Sequence, residues 1–320
     1  MKTAIQWAIA ALEKQQYQLI SPAPELIQKA PWSEVSRFST QQGNIYLKKT
    51  PPALAIEMPV VQVLKERFSI TVPTIIAENH EESCFLMKDA GVSLRTFFKQ
   101  GFNADILVKV LEEYGHFQVE TASQLFCFLE LGVPDWGLAK LPLLYQELAQ
   151  QENLLQQFKL TSEEICQCQD LISVFRNICE RLAQYNLPDT FGHCDFHDNN
   201  MLIAPKTHQT TMIDLGEVVI THPFFSVLNM LVHIKENCHL SQQQFEALQQ
   251  HAFKPWLKHE SLSSLQAAMA LIQQCWLIHA ILGIYRLMLC VDPIEFENIA
   301  HQNRFANKLR LWIDQAKKSA

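Results

Sequence analysis

Within residues 191–219, FGHCDFHDNNMLIAPKTHQTTMIDLGEVV, seven side chains able to act as acids, bases or metal ligands stand close together: His193, Asp195, His197, Asp198, Asn200, Asp214 and Glu217. The runs Met201-Leu202-Ile203 and Thr211-Met212-Ile213 are strand-like, and residues 205–209 between them are turn-rich. In an antiparallel pair, opposing residue numbers sum to a constant. Residue 201 is therefore expected to face 213, and Asn200 to face Asp214. Asp195 precedes them in the loop that enters the hairpin. A carboxylate, an amide oxygen and a second carboxylate at one open end suit a hard divalent cation and a hydroxyl to be activated. A zinc site built from His193, Cys194 and His197 is disfavoured, because neighbouring loop side chains point apart. Asp198 reads as a surface or supporting carboxylate, and Glu217 as either metal-facing or structural.

Such a centre needs elements to carry a phosphate donor, and the first ninety residues suit that role. After an amphipathic helix at the N-terminus, with Ile5, Ala8, Ile9 and Leu12 on one face, the break Ser21-Pro22-Ala23-Pro24 leads into strand-rich sequence. Residues 34–40 and 45–49 form one expected hairpin across Gln41–Asn44, and 72–78 and 84–88 a second. One helix, about 56–68, lies between the pairs. Pro59 falls in its first turn, where backbone N–H groups have no intrahelical acceptor, so it starts the helix rather than breaking it. Glu57 is then also in the first turn. It either complements the helix dipole or holds the head of Lys48, which leaves its strand on the same side as Tyr46 and could bind phosphate oxygens. A glycine-rich phosphate loop is missing. Backbone amides and the Ser33 hydroxyl, in a turn near Pro31–Glu34 or Gln41–Asn44, would have to replace it.

The stretch CFLMKDAG at 84–91 runs from strand into a glycine-containing break and reads as the connection between two lobes, with Met87 and Lys88 as candidates for contacting a purine edge. Beyond it the periodicity is helical over 104–131, 142–158, 162–185, 223–234, 241–257, 261–289 and 295–317, several starting at Ser caps. The expected domains are a nucleotide-binding lobe at 1–88 and a catalytic and acceptor-binding lobe at 89–320.

The chain has 320 residues, enough for two lobes with ample core, and its 48% hydrophobic and 18% charged content is ordinary for a globular protein. No uninterrupted apolar run reaches the roughly 18 residues that span a bilayer, and the N-terminal stretch lacks a convincing cleavage site, so no membrane partner is expected. Nine scattered cysteines without a CxxC pair suit free thiols in a reducing cytoplasm. The net charge of −7 is uneven: residues 1–88 hold nine Lys/Arg against eight Asp/Glu, and the remainder 17 against 25. That bias disfavours nucleic acid as a partner and leans slightly toward a cationic substrate. Asp292, Glu295 and Glu297 are weak candidates to meet one. Nothing in the sequence sets the oligomeric state.

The segment His193-Cys194-Asp195-Phe196-His197-Asp198-Asn199-Asn200, of form HxDxxxxN, followed by Ile213-Asp214-Leu215-Gly216-Glu217, resembles the aminoglycoside phosphotransferase and choline kinase-like family. The likeness extends to YLK at 46–48, Glu57, the FLMKDAG connection, VPDWGL at 133–138 and THPFF at 221–225. It implies an α+β, bilobal protein-kinase-like fold, with a small antiparallel-sheet lobe carrying one helix and a larger, mainly helical lobe. It also implies transfer of the γ-phosphate of ATP (or GTP) to a hydroxyl of a small molecule such as an aminoglycoside, amino alcohol or sugar. On matching positions Asp195 orients the hydroxyl and takes its proton, His193 supports the catalytic loop, Asn200 and Asp214 bind Mg2+, and Lys48 paired with Glu57 contacts the nucleotide phosphates. Two departures stand out: Cys194 replaces a usual glycine, and Ser226 stands where relatives often carry aspartate. The alternative is a nucleotide-binding regulatory pseudokinase, suggested by the missing glycine loop. A protein-modifying kinase fits less well, because no activation segment follows Asp214.

Overall fold

The computed structural model describes residues 2–291 and 299–319. The first helix, α1 (Lys2–Lys14), places Ala4, Ala8 and Leu12 on one buried stripe. The small alanines let it lie close against a five-stranded sheet. That sheet comprises β1 (Glu25–Ala30), β2 (Ser33–Thr40), β3 (Gly43–Lys49), β4 (Ile75–Asn79) and β5 (Cys84–Lys88), all antiparallel, in the order β1-β2-β3-β5-β4. Alternation along β3 sorts its faces: Ile45 and Leu47 join Phe38, Cys84 and Leu86 under α1, whereas Tyr46 and Lys48 point to the other side. On that side lies α2 (Glu57–Arg67), entered through Pro59 in its first turn as the sequence implies, with Val60, Val61 and Leu64 buried. Both helices expected in the first ninety residues are present, α1 behind the sheet and α2 on its other side. β1 was not apparent from the sequence because its side chains are nearly all exposed and show no core-facing alternation.

The chain leaves β5 through Asp89-Ala90-Gly91. Asp89 fixes this corner: its carboxylate accepts the Gly91 N–H at 2.9 Å and the Asn44 amide at 3.2 Å. Gly91 has φ +115°, and a Cβ there would lie 2.1 Å from the Ile203 carbonyl oxygen. Gly91→Ala should therefore cost more than the about 1–3 kcal/mol of backbone strain alone. Denaturant unfolding checks this, and an unchanged midpoint would contradict it.

After Gly91 come β6 (Val92–Ser93), the short α3 (Leu94–Phe98), and α4 (Ala104–Thr121), capped by Asn103 and buried along Leu107, Leu111, Tyr114 and Gln118. The helical stretch expected over 104–131 ends at Thr121 and resumes as the single turn α5 (Phe126–Leu129). β7 (Asp135–Trp136), α6 (Leu141–Ala149) and α7 (Glu152–Gln157) follow, the last two divided where one helix was expected. α8 (Ser162–Leu182) begins with a full Thr161/Glu164 capping box. The catalytic segment is then built on β8 (Thr190–His193), β9 (Met201–Ile203), β10 (Thr210–Met212) and β11 (Val218–Thr221). These form two small sheets, β10-β9-β6 and β7-β11-β8. The chain closes with α9 (Phe224–Asn237), α10 (Gln242–Phe253), α11 (Leu262–Leu289) and α12 (Ile299–Ser319). α11 is long and apolar enough by composition to cross a membrane, but 61% of its most apolar stretch is buried against the rest of the protein. Antiparallel sheet plus α2 on one side, and helices around two small sheets on the other, make the bilobal, protein-kinase-like α+β architecture the motifs imply.

Candidate active site

The loop between β8 and β9 is held from several directions. His193, fully buried, uses both ring nitrogens: Nε2 lies 2.9 Å from the Ile213 carbonyl, and Nδ1 accepts the Asp195 N–H at 3.2 Å. This pattern puts the proton on Nε2, and burial pushes the ring below its ordinary range, so it stays neutral. Phe196 is buried and stacked on Tyr114 at 3.9 Å between centroids, while Asn229 donates to its carbonyl at 3.0 Å. Asp198 is not a surface residue. It is wholly buried, accepting Arg95 Nη2 at 2.7 Å and Asn237 Nδ2 at 3.0 Å, and so ties the loop to α3 and α9. Cys194, in the position of the usual glycine, lies outside the left-handed region, so its side chain brings no backbone strain.

The hairpin register differs from expectation by one residue. Met201 pairs with Met212, not residue 213, and the Ile213 N–H donates to the Asn200 carbonyl at 3.0 Å. The cause is the turn. Ala204 pairs with Gln209 because His208 adopts φ 55°, closing a turn one residue shorter than the sequence suggests. Asp214 itself is left-handed, at φ 64° and ψ 58°. That kink ends the strand and brings Asp214 to the cleft although it no longer faces Asn200 directly; the two still line the same cavities.

Asp195 Oδ2 meets two donors, Asn200 Nδ2 at 3.1 Å and His197 Nε2 at 3.2 Å. The His197 tautomer is set by the Asn199 N–H, which donates to Nδ1. Burial alone would raise Asp195, but the hydrogen bond from His197 and the charge of Arg304 work against it, and the carboxyl lies below its usual range. Asn200 spends its Nδ2 on Asp195, and its Oδ1 accepts no hydrogen bond among the described residues.

Lys48, 5% exposed, bridges the lobes: Nζ is 2.6 Å from Glu57 Oε2 and 2.6 Å from Asp214 Oδ1. Burial works against its charge, but the two carboxylates more than offset it and raise its pKa. Glu57 does a second job absent from the sequence reading, accepting the Leu215 N–H at 3.1 Å through Oε1. Glu217 is half-buried beside Asp214 and Asp195, and desolvation with their like charge pushes it up to about 8. Arg286 on α11, also missed, braces the same turn through the Val218 carbonyl at 3.1 Å.

Two cavities meet at this centre. One, about 230 Å3, is lined by Ser33, Lys48, Glu57, Met87 and Lys88 together with apolar Ile27, Val35, Leu202 and Ile213. The other, about 240 Å3, contains Asp195, His197 and Glu217. Asn200 and Asp214 belong to both. The structure thus gathers every expected site residue except His193, which lines neither cavity and acts through the loop it holds. The Lys88 N–H, a candidate for a purine edge, is already committed to the Thr74 carbonyl at 3.0 Å, and the Asp89 N–H to Asn44. Asp292, Glu295 and Glu297 lie outside the described residues.

Among the described residues no three His, Cys, Asp or Glu side chains are arranged to hold a metal by themselves. The available donors are instead the Asn200 and Asp214 oxygens. A site of one or two protein oxygens completed by phosphates and water is how magnesium is commonly bound, and the acidic crowding that raises Glu217 is the field a cation relieves.

An ion-paired lysine reaching from the sheet lobe to a loop carboxylate and a hard-oxygen pair defines a kinase-like phosphotransferase. The chain belongs to the phosphotransferase enzyme family, whose model matches residues 32–262, and it is accordingly a phosphotransferase with an alcohol group as acceptor. Similar solved structures include the GDP and kanamycin complex of APH(2'')-IIia, with TM-score 0.63, 14% identity, and coverage of 99% of this chain and 100% of that one. Plasmodium vivax ethanolamine kinase has TM-score 0.58, 13% identity and coverage of 92% and 84%. The amicoumacin kinase hAmiN complex with AMP-PNP, Ca2+ and Ami has TM-score 0.60, 12% identity and coverage of 97% and 96%. No curated protein matches the sequence.

One pH response follows from the neighbouring turn. His222 is fully buried, its Nδ1 accepts the Phe224 N–H at 3.3 Å, and burial pushes it down to about 3. The folded state thus refuses a proton that the unfolded chain takes up below its ordinary value near 6.5. Stability from this group is complete above about pH 6.5 and is lost as pH falls toward 3, with a slope approaching about 1.4 kcal/mol per pH unit. His222→Asn should flatten the pH dependence of unfolding free energy between roughly pH 6 and 4 by that amount. Parallel profiles for variant and wild type would contradict it.

Proposed function

We propose that the protein transfers the γ-phosphate of ATP or GTP to a hydroxyl of a small molecule, with residues 1–88 as the nucleotide-binding lobe and 89–320 supplying catalysis and the acceptor site, in a cytoplasmic setting suited to its free thiols. The observation that carries this is the pair of cavities sharing Asn200 and Asp214, one walled by Lys48 and apolar side chains, the other containing Asp195. The purine lies in the first, between Ile27, Val35 and Leu202, near Met87. With the Lys88 N–H committed, the Ala90 N–H on the same cavity wall, which has no partner among the described residues, is the better donor for its edge. Lys48 contacts phosphate oxygens while Glu57 fixes its position, and the Ser33 hydroxyl at the start of β2 takes part of the role of the missing glycine loop.

The Asn200 and Asp214 oxygens would hold Mg2+, which would supply charge that neutralises the phosphate groups. Asp195 is oriented by His197 and Asn200 on Oδ2, leaving Oδ1 for the acceptor hydroxyl. As the acceptor oxygen bonds to phosphorus and the bond to the β–γ bridging oxygen breaks, Asp195 receives the hydroxyl proton and nucleoside diphosphate departs. Compounds to screen include aminoglycosides, amino alcohols and sugars, the first because one similar solved structure contains kanamycin. Calorimetry with ATP and GTP, with and without magnesium, followed by nucleotide consumption across those acceptors, tests the reading. Metal-dependent binding and acceptor-dependent consumption are expected; binding without consumption by any acceptor would leave a nucleotide-binding pseudokinase instead.

A further inference from the structure

The second cavity is not acidic throughout. Among the described residues its only carboxylates are Asp195, Asp214 and Glu217, all at the end where transfer is placed, whereas α12 contributes Arg304 and Lys308 to its wall. These cations are four residues apart, one helical turn, so they present to the same side; like charges in that relation repel. Neither forms a salt bridge among the described residues. Lys308 is partly buried, with Nζ 5.7 Å from the centroid of the Trp276 ring. Burial and the charge of Arg304 lower its pKa by more than the nearby Asp195 and Glu236 carboxylates raise it, so the free protein holds this pair at a cost that a closer anion would relieve.

His279, 4% exposed, lines the same cavity and is held rigidly by stacking on Phe225 at 4.7 Å. Its Nε2 is buried without a hydrogen-bond partner among the described residues. The cavity volume of about 240 Å3 lies below the roughly 300–1,000 Å3 of drug-sized sites, which favours a compact acceptor.

Resting on the phosphotransferase reading, we infer that the acceptor is a small hydroxy compound bearing an anionic group, carboxylate or phosphate, which Arg304 and Lys308 bind while Asp195 meets the hydroxyl. The lean toward a cationic acceptor came from the net charge of the whole second half. That charge does not describe this wall. Arg–carboxylate and Arg–phosphate pairs supply both the attraction and the orientation needed to present one hydroxyl.

The test compares kcat/KM for matched acceptors: glycerate with glycerol, gluconate with sorbitol, and glucose 6-phosphate with glucose, with ethanolamine and kanamycin as cationic arms. Wild type is set beside Arg304→Gln, Lys308→Gln and the double Arg304→Glu/Lys308→Glu, each checked for native circular dichroism. The wild type should prefer an anionic member by about 10- to 100-fold. The carboxylate and phosphate arms distinguish the two sources. Each glutamine variant should lose that preference through acceptor KM, with nucleotide KM unmoved, and the double glutamate variant should shift preference toward amines. Preference for neutral or cationic acceptors overturns the inference and leaves the phosphotransferase reading standing. So does an equal fall in kcat for every acceptor at constant KM, which would assign the cations to the transferring phosphoryl group. Bound nucleotide with no transfer to any charge class overturns both.

Discussion

Asp195→Ala should lower kcat for phosphate transfer by about 100- to 10,000-fold, the range for removing a positioned proton acceptor. The carboxylate is 38% exposed at the cavity floor and sits on a loop whose other anchors, His193, Phe196 and Asp198, hold it independently of the Asp195 side chain. The fold should therefore survive. The cavity proposed for the nucleotide does not include Asp195, so nucleotide affinity should change little while turnover collapses. Asp195→Asn is the sharper variant: it keeps size and hydrogen-bonding capacity but cannot take up the proton. Single-turnover measurements at saturating nucleotide check both. Near-normal turnover in either would remove Asp195 from the proposed role.

Lys48→Met carries the second large effect, and it falls on activity and stability together. Removing the ammonium leaves Glu57 buried at 3% exposure without its cation, beside Asp214, and breaking one side of a buried pair costs about 3–5 kcal/mol. The proposed phosphate contact would be lost in the same step, so kcat/KM for nucleotide should fall by at least about 100-fold. The two effects separate in a cycle. With Glu57→Gln added, the stranded charge is gone and much of the stability should return, because the glutamine oxygen can still accept the Leu215 N–H. Activity should not return. Chemical denaturation and steady-state kinetics on the two single variants and the double read this directly, and additive stability losses would show that Lys48 and Glu57 are not coupled.

The parts of this centre that could be read from sequence are those whose partners lie nearby or follow backbone geometry. Asp195, Asn200 and Asp214 fall within one loop and hairpin. Lys48 and Glu57 emerge from strand alternation and from the permissive first turn that Pro59 marks. The register slipped because the left-handed state of His208 has no strong signal in its residue type, and one residue in a turn shifts a whole pairing. β1 escaped notice because an exposed edge strand has no buried face to impose a pattern. Asp198 could be read either as a surface or as a supporting carboxylate because its partners, Arg95 and Asn237, are 103 and 39 residues away; the structure selects the second. The same distance problem concealed Arg286, Arg304 and Lys308. All three sit on helices whose composition reads simply as helix, and only folding carries Arg304 and Lys308 to the cavity and Arg286 to the Gly216–Val218 turn.

The most direct measurement follows the phosphoryl group itself: ATP labelled in its γ-phosphate is incubated with magnesium and the acceptor panel, using wild type and Asp195→Asn. The label should pass to a hydroxyl of one acceptor in the wild type alone, leaving unlabelled ADP. Label retained in ATP or released only as inorganic phosphate with every acceptor, or transfer at equal rates by Asp195→Asn, would contradict the account.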